Sequence, residues 1–164
     1  MATLRSPFRY DFVGSFLRPQ AIKTARVEFK AGEITREQLT AVENEQITLL
    51  IEKQKHAGYH AITDGEFRRS YWHLDFMWGF AGIDEIELDH GYYFQGEETT
   101  PGSIKLTGKI SGENHPFVEH FKFVKALEDE NTVAKLTIPA PAQFLEQMVM
   151  PFAMENTRKY YPNT

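Results

Sequence analysis

Cysteine is absent from the 164 residues of this chain. Its absence excludes disulfide bonds, thiol nucleophiles and thiolate ligands for a metal ion. A complete zinc site would need histidine and carboxylate ligands alone, and the six histidines are spread along the sequence. We therefore expect no self-contained metal centre in this chain.

Long apolar runs and clusters of positive charge are also lacking. No stretch approaches the roughly 20 apolar residues that span a bilayer, and the first residues contain no apolar signal core. The net charge is −5, with lysine and arginine interspersed among aspartate and glutamate, whereas nucleic-acid-binding proteins carry basic patches. The composition predicts a cytoplasmic globular protein that binds neither nucleic acid nor a membrane.

Apolar runs and turn signals predict that strands and helices alternate along the chain. We predict strands at residues 11–16, 59–63, 104–110 and 133–138. We predict helices that begin near Pro19, Thr35, Pro116 and Ala142. The aromatic and glycine-rich region between the second and third strands predicts an irregular insertion with a strand near 83–88. This order favours one α/β domain over residues 1–164 with a parallel sheet, either doubly wound or closed into a barrel.

The second helix has the clearest start signal. Thr35 and Gln38 match the S/T-x-x-E/Q capping box, in which the two side chains bond each other's backbone amides. Gly58 is expected to end the helix. The apolar residues that share one face at 100° per residue predict its buried side. They are Leu39, Val42, Leu49, Leu50 and Ala57.

Two groups of polar residues follow predicted strands, where parallel α/β folds collect their reactive side chains. Gly14 and Ser15 follow the first strand, and the backbone and hydroxyl there can hold a carboxylate. A tight turn with a helix cap is the alternative. Asp64 and Glu66 follow the second strand, and their carboxylates suit the binding of an ammonium group or the exchange of a proton. An ordinary acidic turn is the alternative there.

A third group of candidates lies in the aromatic region. Arg68, Trp72 and His73 are candidates to line a pocket for a flat ring or, in the case of His73, to act as a base. Against this, aromatic clusters belong more often to the core, and arginines beside acidic residues more often form salt bridges.

Three segments resemble the catalytic domain of cobalamin-independent methionine synthase and its short bacterial single-domain relatives. They are residues 13–19 (VGSFLRP), 63–69 (TDGEFRR) and 135–141 (KLTIPAP). The resemblance implies a (β/α)8 TIM barrel that transfers a methyl group from a folate to the zinc-bound thiol of homocysteine. It also implies that Gly14, Ser15 and Glu66 bind the amino-acid part of homocysteine or methionine.

The same resemblance identifies two departures from the family pattern. The zinc ligands of the family, and the histidine thought to donate a proton, lie on later strands that have no counterpart in this chain. Where the family has a folate-stacking tryptophan, we align Leu145, next to Phe144. A homocysteine thiol without zinc would be mostly protonated at neutral pH, since its reference pKa is about 8.5.

These departures predict the N-terminal half of a barrel, with about four parallel strands, that is inactive by itself. Open edges would expose Val13, Ile62, Leu106 and Leu136, and losing about 400 Å² of buried apolar surface costs about 10 kcal/mol. We therefore expect poor folding, self-association or a second chain. The alternatives are a non-catalytic assembly module that pairs through an open sheet edge, and a metal-free lyase that uses Asp64 and Glu66.

Overall fold

The structure, a computed structural model, describes residues 12–91 and 93–164. They form an α/β fold that divides into two compact units, one comprising the described residues up to 69 together with 118–137, the other comprising 70–117 and 138–164. The helices are α1 (Gln20–Lys30), α2 (Arg36–His56), α3 (Leu74–Trp78), α4 (Pro116–Lys125), α5 (Pro141–Val149) and α6 (Pro151–Tyr160). The strands are β1 (Ala61–Ile62), β2 (Ala81–Glu87), β3 (Tyr93–Phe94), β4 (Glu97–Glu98), β5 (Gly102–Ser111) and β6 (Val133–Ala134).

The predicted helices are confirmed in position, and α2 begins as the sequence indicates. The Gln38 amide donates to the Thr35 hydroxyl at 3.3 Å, and the Thr35 amide donates to the Gln38 side chain at 2.7 Å. The prediction missed α6, which follows α5 directly with Pro151 in its first turn. A proline at that position ends one helix and is also compatible with the start of another.

The buried side of α2 differs from the predicted face. The residues of α2 that are buried are Leu39, Glu43, Ile47, Ile51 and Gln54. Of the predicted set, Leu39 is buried, but Leu49 is 43% exposed and Ala57 is exposed. The prediction missed Ile47 and Ile51 as well as the two polar residues of the buried stripe, Glu43 and Gln54.

A parallel strand pair is the centre of the first unit. β1 pairs with β6, with Ala61 opposite Val133 and Ile62 opposite Ala134. Ile62 lies in a cluster of buried apolar side chains that α1, α2 and α4 help to form. Its buried members are Ile22, Ile47, Ile51, Ile62, Phe67 and Val124.

One strand prediction is wrong, and another is correct in position but wrong in its pairing. Residues 12–16 form no strand, while Asp11 lies outside the described residues. The predicted third strand is β5, which pairs with β2 in an antiparallel ladder instead of extending the parallel sheet. Strand β2 itself confirms the strand predicted in the insertion. The described residues therefore contain one parallel pair in place of four parallel strands, and the half-barrel and the single domain over 1–164 remain predictions.

The second unit is built on the β2–β5 ladder. Its core contains Leu74, Met77, Ile83, Ile104 and Leu106. Three backbone amides of β5 donate to side chains instead of to a strand. Gly102 donates to the Tyr71 hydroxyl (3.1 Å), Leu106 to the Asn156 side chain (2.9 Å) and Ile110 to the Tyr161 hydroxyl (2.9 Å).

The predicted exposure of apolar strand residues is only partly correct. Val13 is 79% exposed, but Ile62 (0%) and Leu106 (3%) are buried, and Leu136 is half-buried. Helix α2 covers β1, and α6 covers β5, so these side chains are protected without a closed barrel. Among the described helices, none is both long and apolar enough to cross a bilayer.

Candidate functional site

The turn after β1 places Glu66 in an unusual backbone conformation. Gly65 and Glu66 both have positive φ angles, +68° and +58°. A glycine adopts this conformation freely, whereas a residue with a side chain costs roughly 1–2 kcal/mol. The surrounding contacts must hold Glu66 there, and strain of this kind is often found at functional sites.

Two side chains of the turn bond its own backbone. The Asp64 carboxylate accepts from the Glu66 amide at 2.9 Å, and the Thr63 hydroxyl accepts from the Gly65 amide at 3.1 Å. Gln54 of α2 bonds both backbone groups of Thr63, at 2.8 and 2.9 Å. Because Asp64 stabilises the turn in this way, its position favours a structural role over proton transfer.

Two arginines hold the other side of the turn through its carbonyl oxygens. Arg18 donates to the carbonyls of Glu66 (3.1 Å) and Arg69 (2.7 Å). Arg26 donates to those of Phe67 (2.8 Å) and Arg69 (2.9 Å). Since hydrogen bonds from charged donors are stronger than neutral ones, these four contacts offset the backbone strain at Glu66.

The Glu66 side chain is buried, with 7% of the residue exposed. Its Oε1 accepts from the Thr137 hydroxyl at 2.8 Å and from Arg69 Nη1 at 3.2 Å. The second oxygen, Oε2, forms no hydrogen bond with another described residue. Glu66 therefore presents one fixed oxygen and one oxygen that remains able to bind a ligand.

Gly14 lies beside the same threonine. A Cβ atom added to Gly14 would be 3.2 Å from the Thr137 methyl carbon and 3.3 Å from that of Thr63, and the φ angle of Gly14 is +129°. The Gly14 carbonyl accepts from the Thr63 hydroxyl at 2.8 Å. Ser15 is exposed next to this contact. The structure thus brings Gly14 and Glu66 together through Thr63 and Thr137.

Arg68 contacts α2 and is not directed at Glu66. It forms an ion pair with Glu43 at 3.1 Å, in which both side chains are 7% exposed, and it donates to Asn44 at 2.5 Å. Burial raises the pKa of Glu43 above its ordinary value, and the attraction of Arg68 only partly counteracts this shift. Arg68 thus forms a buried salt bridge, whereas the sequence suggested a surface one.

Trp72 and His73 belong to the second unit. Their rings stack at 4.5 Å, Trp72 is half exposed, and His73 precedes α3. Burial lowers the pKa of His73, opposed by the charges of Glu146 and Asp75. This environment keeps the imidazole neutral at pH 7, and a shared pocket with Glu66 remains a prediction.

The described residues do not fit a zinc ion. Among residues 12–91 and 93–164, no three histidine, aspartate or glutamate side chains converge as metal ligands. A zinc ion would need ligands from outside this set.

Sequence reasoning missed the residues that hold Glu66 in place. Arg18 and Arg69 lie within the matching segments 13–19 and 63–69, and Thr137 lies within 135–141. Their presence in all three segments was the available signal, since segments far apart in sequence that resemble one family are expected to meet in space.

Comparisons with known proteins show which family this chain resembles. The family model described as "Cobalamin-independent synthase, Catalytic domain" matches residues 10–104. The uncharacterized proteins YxjH and YxjG of Bacillus subtilis are 44% and 42% identical to the chain over 137 residues, 84% of the chain. A 5-methyltetrahydropteroyltriglutamate–homocysteine methyltransferase of Thermosynechococcus vestitus is 28% identical over 81% of the chain.

Solved structures show the same relationship. A putative vitamin-B12-independent methionine synthase from Listeria monocytogenes is 43% identical and superimposes with a TM-score of 0.72 over 88% of this chain and 40% of its own. A B12-independent methionine synthase from a Shewanella species, in complex with selenomethionine, has the same fold at 20% identity, with a TM-score of 0.54 over 70% of this chain and 33% of its own.

The chain spans 36% of the length of each Bacillus relative and 17% of the Thermosynechococcus enzyme. The family match covers more than half of its residues and includes the segment with Gly14 and the turn with Glu66. The chain belongs to the family of cobalamin-independent synthase catalytic domains.

Proposed function

We propose that the first unit binds the amino-acid end of homocysteine or methionine for a methyltransferase of this family. The Ser15 amide and hydroxyl bind the α-carboxylate, and Gly14 lets the ligand approach the backbone. Glu66 pairs with the α-ammonium group. The observation that carries the proposal is the buried Glu66 carboxylate, in which Oε1 is fixed by Thr137 and Arg69 and Oε2 has no partner among the described residues.

The charges of the site suit a zwitterion. A carboxylate that is already ordered and largely desolvated binds an ammonium more strongly than a mobile surface carboxylate, because less entropy is lost on binding. Ser15 is exposed and has no negatively charged side chain beside it in sequence, so no neighbouring charge in sequence would repel a carboxylate there. The chain's own contribution is to bind and orient the amino acid.

The methyl donor and the metal belong to the wider proposal. We infer a methylated folate as donor from the family and from the Thermosynechococcus relative, although Leu145 stands where the family has a stacking tryptophan. Zinc chemistry, which would activate the thiol in the family, does not fit the described residues, so no step through zinc is assigned to them.

Isothermal titration calorimetry with L-methionine tests the proposed binding. A Glu66→Gln variant keeps the shape and the hydrogen bond to Thr137 but loses the charge, so its affinity should fall at least about tenfold. The matched control is Glu45→Gln, which removes an exposed charge from α2 and should change nothing. Equal affinity of the Glu66→Gln variant and the unaltered chain would refute the assignment.

A second candidate function is assembly with another chain, because the β1–β6 sheet has only two strands among the described residues. Strand edges without partners invite pairing. Light scattering during size-exclusion chromatography would show self-association as a concentration-dependent mass. A constant monomer mass would exclude self-association.

A further inference from the structure

The Thr137 side chain contacts both halves of the proposed amino-acid site. Its hydroxyl donates to Oε1 of Glu66 at 2.8 Å, and its methyl carbon lies 3.2 Å from the Cβ position of Gly14. The backbone that carries Thr137 is itself held, since its carbonyl accepts from Arg69 Nη2 at 2.5 Å. Thr137 is therefore fixed between the carboxylate-binding segment and the ammonium-binding carboxylate.

The direction of each hydrogen bond in this group can be assigned. Arg69 Nη2 also lies 3.2 Å from the Thr137 hydroxyl oxygen. Arginine has no acceptor atom, so this contact uses a lone pair of the hydroxyl. The single hydroxyl hydrogen of Thr137 is then available for Glu66 Oε1, where the structure places it. Arg69 and Thr137 thus act on the same carboxylate oxygen, and neither contacts Oε2.

We propose that Thr137 is a positioning residue of the amino-acid site, which aims Oε2 of Glu66 at the substrate ammonium and sets the discrimination between amino acids and ligands without an amino group. This inference rests on the proposed function. Without the hydroxyl, the hydrogen bond that remains to the Glu66 carboxylate from the described part of the chain is the 3.2 Å one from Arg69, so the carboxylate rotates more freely. Ligand binding then has to order the Glu66 carboxylate, which weakens its contact with the ligand's ammonium group. The contact between Ser15 and the ligand's α-carboxylate stays unchanged.

Two ligands separate this role from general stabilisation. L-methionine and methylthiobutanoate, its analogue without the α-amino group, differ only at the group that Glu66 would contact. We expect Thr137→Val to weaken L-methionine about fivefold, the effect of ordering one side chain, and to leave the analogue unchanged. Thr137→Ser restores the hydroxyl and should bind L-methionine within about twofold of the unaltered chain.

Thr63→Val is the matched control within the same site. The Thr63 hydroxyl bonds the Gly14 carbonyl and the Gly65 amide, and neither of these hydrogen bonds involves the Glu66 carboxylate. Its loss should disturb the backbone of the whole site and weaken both ligands together. If Thr137→Val does not fold, the comparison of Thr137→Ala with Thr137→Ser isolates the hydroxyl in the same way.

The outcomes distinguish the inference from the function on which it rests. If L-methionine fails to bind, or if Glu66→Gln binds it normally, the proposed function is wrong and the role of Thr137 falls with it. If Glu66→Gln behaves as expected but Thr137→Val weakens neither ligand, or weakens both equally, only the positioning role is overturned. Selective loss of L-methionine affinity, restored in Thr137→Ser, supports it.

Discussion

The buried ion pair between Glu43 and Arg68 should be replaceable by apolar residues, although neither partner can be removed alone. Both side chains are 7% exposed, and burial raises the pKa of Glu43 despite the nearby guanidinium. The desolvation cost therefore exceeds the attraction, as is common for buried pairs. The free energy of unfolding of a Glu43→Leu, Arg68→Met double variant should lie within about 1 kcal/mol of that of the unaltered chain, or above it.

The stability lost in each of the two single variants should depend differently on pH. Glu43→Leu leaves a buried guanidinium that cannot lose its proton, so it should cost about 3–5 kcal/mol at any pH between 5 and 7. Arg68→Met leaves a carboxyl that can take up a proton. With an ordinary pKa of 4.5, this protonation costs up to about 3.4 kcal/mol at pH 7 and about 0.7 kcal/mol at pH 5.

The sign of that dependence follows from the raised pKa of Glu43. Below pH 4.5 the Glu43 carboxyl is protonated in the folded and the unfolded chain, and its burial lowers the free energy of unfolding least. This advantage is lost as the pH rises through the pKa of Glu43 in the folded chain. Urea titrations of all four proteins at pH 5 and pH 7, followed by circular dichroism, measure the free energies of unfolding. Lys122→Met, which breaks the exposed pair with Glu119, should change stability by less than about 0.5 kcal/mol.

Two results would refute this reasoning. The first is a double variant that loses as much stability as the two single variants summed, because additive losses would mean that the two side chains do not interact. The second is an Arg68→Met variant whose loss is the same at both pH values, because Glu43 would then remain charged without its partner.

Three further predictions concern single residues. Gly14→Ala should destabilise the chain by about 1–3 kcal/mol in urea titrations, because the new methyl group meets two threonine methyl groups at a φ angle of +129°; a loss under 0.5 kcal/mol would contradict it. The pKa of Asp129 is lowered to about 2 by its hydrogen bond to Lys55, so the carboxylate stabilises the folded chain above pH 3.8 and this stabilisation is lost as the pH falls toward 2. The melting temperature of Asp129→Asn should therefore vary less with pH over that interval than that of the unaltered chain. The same dependence of melting temperature on pH in both proteins would oppose the assignment. Thr35→Ala removes the capping box of α2 and should cost about 0.5–2 kcal/mol; a melting temperature equal to that of the unaltered chain would disprove the role of the cap.

The helices were predictable because their signals are local. Thr35 and Gln38 are three residues apart, and Pro19 and Pro116 mark helix starts through their own backbone restrictions. The buried face of α2 was harder to predict, because Glu43 and Gln54 are buried only with partners on a distant turn. Their spacing from Leu39, Ile47 and Ile51 fits the helical period, but a polar side chain gives no sign in the sequence that tertiary contacts bury it.

The strand errors have a different cause. The apolar run at residues 104–110 forms a strand as predicted, but its partner and direction depend on the β2 segment. The run at residues 12–16 bonds the turn after β1 through single contacts, such as that from the Phe16 amide to the Gly65 carbonyl at 3.0 Å. Apolar composition predicts extended backbone in both segments and does not specify which strand, if any, pairs with it.

Gly14, Ser15 and Glu66 were identified through the family resemblance, and the residues that hold Glu66 were not. Arginine side chains that bond backbone carbonyls leave no pattern in the sequence. Thr137 could be noticed only as part of a matching segment. The ligand-binding roles of these residues stay a proposal, and the network that holds Glu66 is visible only in the folded structure.

The side chains that accept hydrogen bonds from the backbone amides of β5 also affect how this protein would aggregate when it is partly unfolded. Two of the three amides are covered by the end of the chain's last helix and the residue after it, through Asn156 and Tyr161. When α6 detaches, the amides of Leu106 and Ile110 lose these acceptors and become free to pair with a strand of another molecule. Fibril formation should therefore begin from a nearly native state in which only this helix has detached.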